Sequence, residues 1–268
     1  MSMMHSKNKL TNSSRLSSAI YATVIHFSVS VAVAALLAAF IFLVWYPRPH
    51  ADLSGGKELF LLVLGIDIIC GPLLTGFVFN PKKSKKELML DIGFVVLIQI
   101  SALGYGVYSV WHARPLFLVM EVDRFRVIAA PDLEDVNAQR ALIALPKEMA
   151  PKFLRGPLIV GIRSPKDAEE RKLVLFESVQ GGRDYAQRPE FYISYNAVTA
   201  EKTFLLAKPI AVYVAKYGDK SAVVDAIATR EKVITQQLKF LPVVGRQDWI
   251  AVLNPNGYIA DFLPGDGF

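Results

Sequence analysis

The chain has 268 residues, of which 53% are hydrophobic, and its mean hydropathy of +0.34 is high for a soluble protein. Its net charge is +6, but nine of the 30 Lys and Arg residues lie before Arg114 with only five acids, which gives that part +4. This distribution favours a role in membrane topology and excludes the dense basic stripe of a nucleic-acid-binding domain. Cys70 is the one cysteine, so an internal disulfide is excluded.

The first apolar run begins after a polar, basic tail. We interpret residues 1–18 as a disordered cytoplasmic tail. Residues 19–46 contain no Lys, Arg, Asp or Glu, and this run is far longer than the apolar region of a signal peptide. It predicts a retained transmembrane helix over about 20–46, with Trp45 and Tyr46 at the membrane interface.

Two more apolar runs predict transmembrane helices over about 59–79 and 88–111, which completes a three-helix transmembrane domain at 19–112. The second run contains a single charged residue, Asp67, and also Pro72. A carboxylate within the bilayer is rare and marks a candidate functional site, while a proline removes a backbone donor and tends to kink a helix.

The depth of Asp67 in the membrane predicts its neighbour. Counted from the cytoplasmic helix ends, Asp67 lies roughly 18 Å up and Gln99 of the third run roughly 16 Å up. We therefore predict that the Gln99 amide donates a hydrogen bond to the Asp67 carboxylate inside the bundle. Gly71 and Thr75 form a pair of small residues four apart, which predicts a close helix neighbour.

Basic residues near the helix ends predict the orientation. The tail holds three, the first loop holds Arg48 and Lys57, and the second loop holds four lysines, which are Lys82, Lys83, Lys85 and Lys86. The positive-inside rule then places the N-terminus and the lysine loop in the cytoplasm and residues 113–268 in the periplasm. The four lysines also suit contact with membrane phospholipids.

Residues 113–268 predict a soluble α+β domain with a mainly antiparallel sheet. We expect strands or extended segments at 116–130, 157–163 and 213–218, helices at 132–145, 165–177 and 221–238, and a hairpin over 249–262 whose turn is Asn254-Pro255-Asn256-Gly257. This domain contains no His or Cys, which excludes His/Cys metal sites and a Ser–His–Asp triad there. We expect no enzyme activity, no cofactor and no metal.

The second apolar run carries a recognisable motif. Asp67 is followed by Gly71-Pro72-Leu73-Leu74-Thr75 and then by the lysine loop, and this arrangement resembles the membrane part of the type IV pilin accessory proteins of Gram-negative bacteria. Arg114-Pro115 and Asp123-Arg124 resemble the same family. From the residues alone, Arg114-Pro115 ends the third helix with its arginine near the headgroups, and Asp123-Arg124 suits an ion pair on a strand surface.

The resemblance implies an inner-membrane accessory or chaperone-like protein that assists type IV pilin stability or pilus assembly. Its partners would be type IV pilin and membrane lipids. The candidate partner-binding or structural residues are Asp67, Gly71, Pro72, Leu73, Leu74, Thr75, Gln99, Arg114, Pro115, Asp123 and Arg124. Two other classes stay open, which are a membrane-anchored periplasmic ligand-binding or sensor protein and a membrane-embedded enzyme or transporter centred on Asp67.

Overall fold

The computed structural model describes residues 2–47, 50–53 and 56–268, without the side chains of residues 2–15, 56, 57 and 59. The chain forms two compact units. The helical unit comprises Met1–Ile41 and Lys57–Trp111, and the second unit comprises Phe42–Gly56 and His112–Phe268. Arg48 and the side chains of Lys57 and of the basic residues at positions 7, 9 and 15, on which the predicted orientation depends, lie outside the described part.

Three long helices build the first unit and confirm the three predicted runs. They are α1 (Ser2–Phe40, continued by a π-helical segment at Ile41–Trp45), α3 (Gly56–Val78) and α4 (Lys85–His112). The segments Leu16–Trp45, Phe60–Val78 and Lys85–His112 are long and apolar enough to cross a membrane. The predicted disorder of the tail is not observed, because α1 already begins at Ser2, and no Gly or Pro interrupts the helix before Phe40.

The second unit is built on an eight-stranded mixed sheet with the strand order β4-β3-β1-β2-β6-β7-β8, and β5 also pairs with β6. The strands are β1 (Pro115–Glu121), β2 (Arg124–Ala129), β3 (Leu158–Ile162), β4 (Tyr192–Ser194), β5 (Lys208–Pro209), β6 (Lys239–Val244), β7 (Trp249–Leu253) and β8 (Ile259–Pro264). The prediction of a mainly antiparallel sheet is corrected, because β1 pairs parallel to β3 and β2 pairs parallel to β6 at the centre.

Among the described residues of this unit, six α-helices accompany these strands. They are α2 (His50–Leu53), α5 (Val136–Ile143), α6 (Ala168–Val179), α7 (Ala197–Leu206), α8 (Ile210–Lys216) and α9 (Ser221–Glu231). Side-chain caps begin three of them, since Asp135, Asp167 and Asn196 each accept hydrogen bonds from the first-turn backbone of α5, α6 and α7. Helix α5 therefore begins after Asp135 rather than at residue 132, where the predicted helix starts; the Asp132 carboxylate accepts from the backbone N–H of Ala129.

Two predicted elements differ from the structure. Residues 116–130 are a hairpin of β1 and β2 rather than one strand, because the chain turns at Val122 with a positive φ of 51°. The predicted extended segment at 213–218 lies largely in helix α8, whose residues Ile210 and Tyr213 are spaced by three and are both buried. The Asn254–Gly257 turn is confirmed, and it joins β7 to β8.

The two faces of the sheet carry separate cores. Phe117 and Val119 of β1 pack into one cluster with α5, whereas the alternating residues Leu118 and Met120 face the opposite side. Because both faces are buried, β1 is an apolar run rather than an alternating one. A third cluster joins α8 and α9 to β6, β7 and β8.

The segment between the first two long helices belongs to the second unit. Leu53 is fully buried in the cluster of Leu118 and Met120, and its carbonyl accepts a hydrogen bond from the backbone N–H of Arg246 at 2.7 Å. The indole of Trp45 donates to the carbonyl of Phe153 at 3.0 Å. Trp45 and Tyr46 are both buried, because other residues of the second unit, to which they belong, cover them; their predicted level at the membrane interface stays a prediction.

Candidate functional site

A groove between α1, α3 and α4 collects most of the unusual residues of the helical unit. Its volume is about 560 Å³. Its lining is mainly aliphatic, but five polar side chains interrupt it: His26, Ser30, Asp67, Thr75 and Gln99. Polar groups are rare within membrane helices and are concentrated where helices contact each other or a ligand, so this groove is the candidate site.

The pair predicted from depth, Asp67 and Gln99, does meet, but through a different acceptor. The Gln99 side-chain amide donates to the main-chain carbonyl of Asp67 at 3.2 Å, not to its carboxylate. Gly71 makes room for that amide, because a Cβ atom at this position would lie 1.8 Å from Nε2 of Gln99. One turn of α3 thus supplies both the acceptor and the space for a side chain of α4.

This contact gives a test of the motif. Gly71→Ala should displace the Gln99 amide and destabilise the helical unit by about 0.6 kcal/mol, the average for a hydrogen bond between membrane helices. Gly65→Ala on the same helix is the matched control, because a Cβ there meets nothing within 4 Å. Denaturant titration in detergent measures both. If Gly71→Ala costs the same in a Gln99→Ala background, the displaced amide is not the cause.

The rest of the motif divides between the inside and the outside of the bundle. Pro72 lies within α3 and is buried, and it has no N–H for the carbonyl one turn earlier. Thr75 is also buried, and a hydrogen bond of 2.6 Å joins its Oγ1 to Nδ1 of His26 on α1. Leu73 and Leu74 point outward and are exposed. The motif therefore ties α3 to both neighbouring helices and presents leucines on its outer side.

The Asp67 carboxylate is the chemically distinctive group of the groove. Among the described residues that line it, Asp67 is the one acid, and within the described part of the chain its carboxylate has no hydrogen-bond or ion-pair partner. No group of three or more His, Cys, Asp or Glu among the described residues could hold a metal ion. The carboxylate can accept hydrogen bonds from a donor that enters the groove.

His26 is a groove residue that the predicted site residues did not include. The available signal was a histidine inside an otherwise uncharged apolar run, one helix away from Thr75. Gly106 of α4 likewise marks a close approach, because a Cβ there would lie 2.1 Å from Cγ1 of Val63. Gly71 and Gly106 therefore lie where side chains of a neighbouring helix approach the backbone closely, as expected for small residues in membrane helices.

The lysine loop lies at one end of the helical unit. Lys82, Lys83, Lys85 and Lys86 are exposed, and Lys83 forms an ion pair with Asp91. Ser84 begins α4 with a reciprocal capping box, in which its hydroxyl accepts from the N–H of Glu87 and the Glu87 carboxylate accepts from the N–H of Ser84. Three of the four lysines carry no ion pair with another described residue, which suits contact with anionic headgroups.

The remaining predicted residues belong to the second unit and do not line the groove. Arg114 is 8% exposed and thus buried in the second unit, and its predicted level near the headgroups stays a prediction. Burial lowers the pKa of Arg114 to about 10, although the nearby Tyr46 acts in the opposite direction. Pro115 begins β1. Asp123 and Arg124 form the predicted ion pair at 2.8 Å, and the Arg124 hydrogen bond lowers the pKa of Asp123. Both are solvent-exposed, so the pair adds little stability.

Comparisons with known proteins bear on the whole chain. The family model of the fimbrial assembly protein FimB matches residues 14–55, which cover the apolar part of α1 and the segment that packs into the second unit. The chain is 37% identical to the serogroup I fimbrial assembly protein of Dichelobacter nodosus over 251 residues, which is 91% of this chain and 94% of the relative. The serogroup E1 protein of that organism is 36% identical over the same shares.

A third relative, the fimbrial assembly protein of serogroups C1 and C2 of Dichelobacter nodosus, is 47% identical over 109 residues, or 41% of this chain and 83% of the relative. No solved structure matches the chain significantly. The similarity to two full-length relatives confirms the resemblance noted from the motif and supports a role in pilus assembly. The chain belongs to the family of fimbrial assembly proteins.

Proposed function

We propose that this protein assists type IV pilus assembly by holding the apolar helix of pilin in the groove between α1, α3 and α4. The observation that carries the proposal is the groove itself: a mainly aliphatic surface on a unit that is apolar enough to lie in a membrane. A helix packed into an apolar groove is a common recognition mode. Such a role is that of an accessory or chaperone protein and requires no catalysis.

Asp67 supplies the polar contact of this groove. A charge in a low-dielectric environment is destabilising unless it is paired, and this carboxylate has no partner among the described residues. A hydrogen-bond donor on the incoming helix would satisfy it. The contact would fix the register of the pilin helix, because aliphatic packing alone discriminates poorly between positions along a helix.

The inter-helix segment supports the proposed topology. Because Phe42–Gly56 packs into the same unit as His112–Phe268, the first loop and the C-terminal domain lie on one side of the membrane if α3 and α4 each cross it once. The lysine loop between α3 and α4 is then on the opposite side, which the positive-inside rule identifies as the cytoplasm. We therefore propose that the second unit lies on the periplasmic side of the inner membrane, where it can contact the pilin head.

Co-purification of pilin with the solubilised protein tests the role of Asp67. We expect Asp67→Asn to reduce the captured pilin about 10- to 100-fold, since hydrogen bonds to charged groups contribute ~1.5–3 kcal/mol. The bundle should stay intact, because Gln99 binds the main-chain carbonyl, which the substitution retains. Asp91→Asn is the control, because Asp91 pairs with Lys83 and does not line the groove. Equal capture by wild type and Asp67→Asn would show that the carboxylate does not bind pilin.

A further inference from the structure

A loop of the second unit packs against Trp45 and Pro47, which follow the first long helix and belong to the same unit. This loop, residues 152–155, contains Lys152, Phe153, Leu154 and Arg155. The Phe153 carbonyl accepts from the Trp45 indole at 3.0 Å, and the two rings stack edge to face with centroids 5.5 Å apart. The next residue, Gly156, lies so close to Pro47 that a Cβ would be 2.7 Å from its Cγ. The loop is therefore fixed to the segment in which the first apolar run ends.

That segment is where an apolar span stops. Leu43 is 77% exposed and lies inside the apolar segment Leu16–Trp45, so the side chain at this level suits lipid rather than water. Trp45 lies two residues further in the same π-helical segment, less than one helical turn from Leu43. Aromatic residues normally occupy this level at the membrane interface, but Trp45 is covered by protein. The 152–155 loop that covers it thus lies at interfacial depth.

The composition of the loop matches that position. Phe153 is 54% exposed and Leu154 is 71% exposed, and neither joins a core cluster of the unit. Lys152 and Arg155 flank them, are exposed, and have no ion pair with another described residue. Aromatic and aliphatic side chains flanked by cations are typical of segments that bury an apolar tip among acyl chains and place charges at anionic headgroups.

We propose that the 152–155 loop inserts Phe153 and Leu154 into the interface of the membrane that α1 spans, with Lys152 and Arg155 on anionic phospholipid headgroups. The insertion attaches the C-terminal domain to the bilayer in addition to the membrane helices, and it is separate from the headgroup contact of the lysine loop. It requires that α1 crosses the membrane, but it does not depend on which side the domain occupies or on pilin binding. Pilin capture and loop insertion can therefore fail independently.

Depth-dependent fluorescence quenching of the full chain tests the insertion. In a Cys70→Ala background, Leu154→Cys carries an environment-sensitive NBD label, and the protein is placed in nanodiscs of phosphatidylcholine and phosphatidylglycerol containing shallow nitroxide lipids. Ile234→Cys is the matched control, since Ile234 is an exposed apolar residue in the same unit, before β6. We expect a blue-shifted, strongly quenched label at position 154 and a weakly quenched label at position 234.

The charge contribution has its own variant. The double variant Lys152→Glu with Arg155→Glu should lower the equilibrium constant for insertion of the loop by about fivefold for each positive charge that is lost. The measured effect is reduced quenching at position 154. Nanodiscs of phosphatidylcholine alone should reduce it in the same direction. Equal quenching at positions 154 and 234, or no quenching at 154, would overturn the insertion. If the quenching at position 154 stays unchanged both in the charge-reversed variant and in nanodiscs of phosphatidylcholine alone, the proposed headgroup contact is wrong.

Discussion

Gly257→Ala is expected to lower the free energy of unfolding of the second unit by about 2–6 kcal/mol. Gly257 has a φ of +79°, in the left-handed region that is strained for other residues. In addition, a Cβ atom there would lie 1.9 Å from the carbonyl oxygen of Ala200, a main-chain atom that cannot rotate away. Backbone strain and overpacking each contribute roughly 1–3 kcal/mol.

The turn around Gly257 also organises its neighbours. The Asn254 side chain accepts from the N–H groups of Asn256 and Tyr258, and the Tyr195 hydroxyl donates to the Gly257 carbonyl. Gly218→Ala is the matched control, because a Cβ there meets nothing within 4 Å. Thermal unfolding followed by tryptophan fluorescence compares the two variants. Similar midpoints for both would show that the turn tolerates a side chain.

Leu53→Ala is expected to destabilise the second unit by about 2–5 kcal/mol, the range for a leucine removed from a core. Leu53 is fully buried among Leu118, Phe125 and Leu241, although it comes from the loop between the first two long helices. The resulting cavity would loosen the attachment of that loop to the sheet.

Leu205→Ala is the control for Leu53→Ala, because Leu205 is an exposed leucine of α7 in the same unit. A surface substitution of this kind should stay within about 0.5 kcal/mol. Limited proteolysis of the full chain gives a second readout, with faster cleavage expected near residues 54–58 in Leu53→Ala. An unchanged midpoint and cleavage rate would mean that the loop is not part of the core.

The sequence predicts the parts of this protein that local patterns control. Three long apolar runs with few charges determine the three helices, and Asn254-Pro255-Asn256-Gly257 determines a hairpin turn. The β1–β2 turn has no such signal, because Val122 adopts a positive φ that β-branched residues rarely accept. The antiparallel pairing of β1 with β2, up to Glu121 opposite Arg124, is what requires the chain to turn at Val122.

Tertiary contacts decide the elements that local patterns missed. Strand β6 contains Pro242, which argues against a central strand. On one of its edges, β6 pairs with β5 through residues 239–240 and with β2 through residues 243–244. Pro242 lies between these two stretches, where that edge of β6 has no paired strand residue. Helix α8 has the β-branched composition of a strand, but it buries Ile210 and Tyr213 as a helix face.

In the groove, too, one feature was predictable from local geometry and another was decided by tertiary contacts. Helix depth correctly brought Asp67 and Gln99 to one level, because the rise of a helix is fixed. The acceptor was not predictable, since a glutamine side chain reaches either the carboxylate or the carbonyl, and the space above Gly71 selects the carbonyl. The docking of Leu53 has no local signal at all, because its partners lie on strands that follow more than 60 residues later.

Site-specific photo-cross-linking in pilin-producing cells tests the groove most directly. A photoreactive residue replaces Val29, which lines the groove on α1, or Leu73, which is exposed on α3 outside the groove lining. Our account predicts a cross-link to pilin from position 29 and none, or far less, from position 73. Equal cross-linking from both positions, or none from position 29 while pilus assembly proceeds normally, would contradict it.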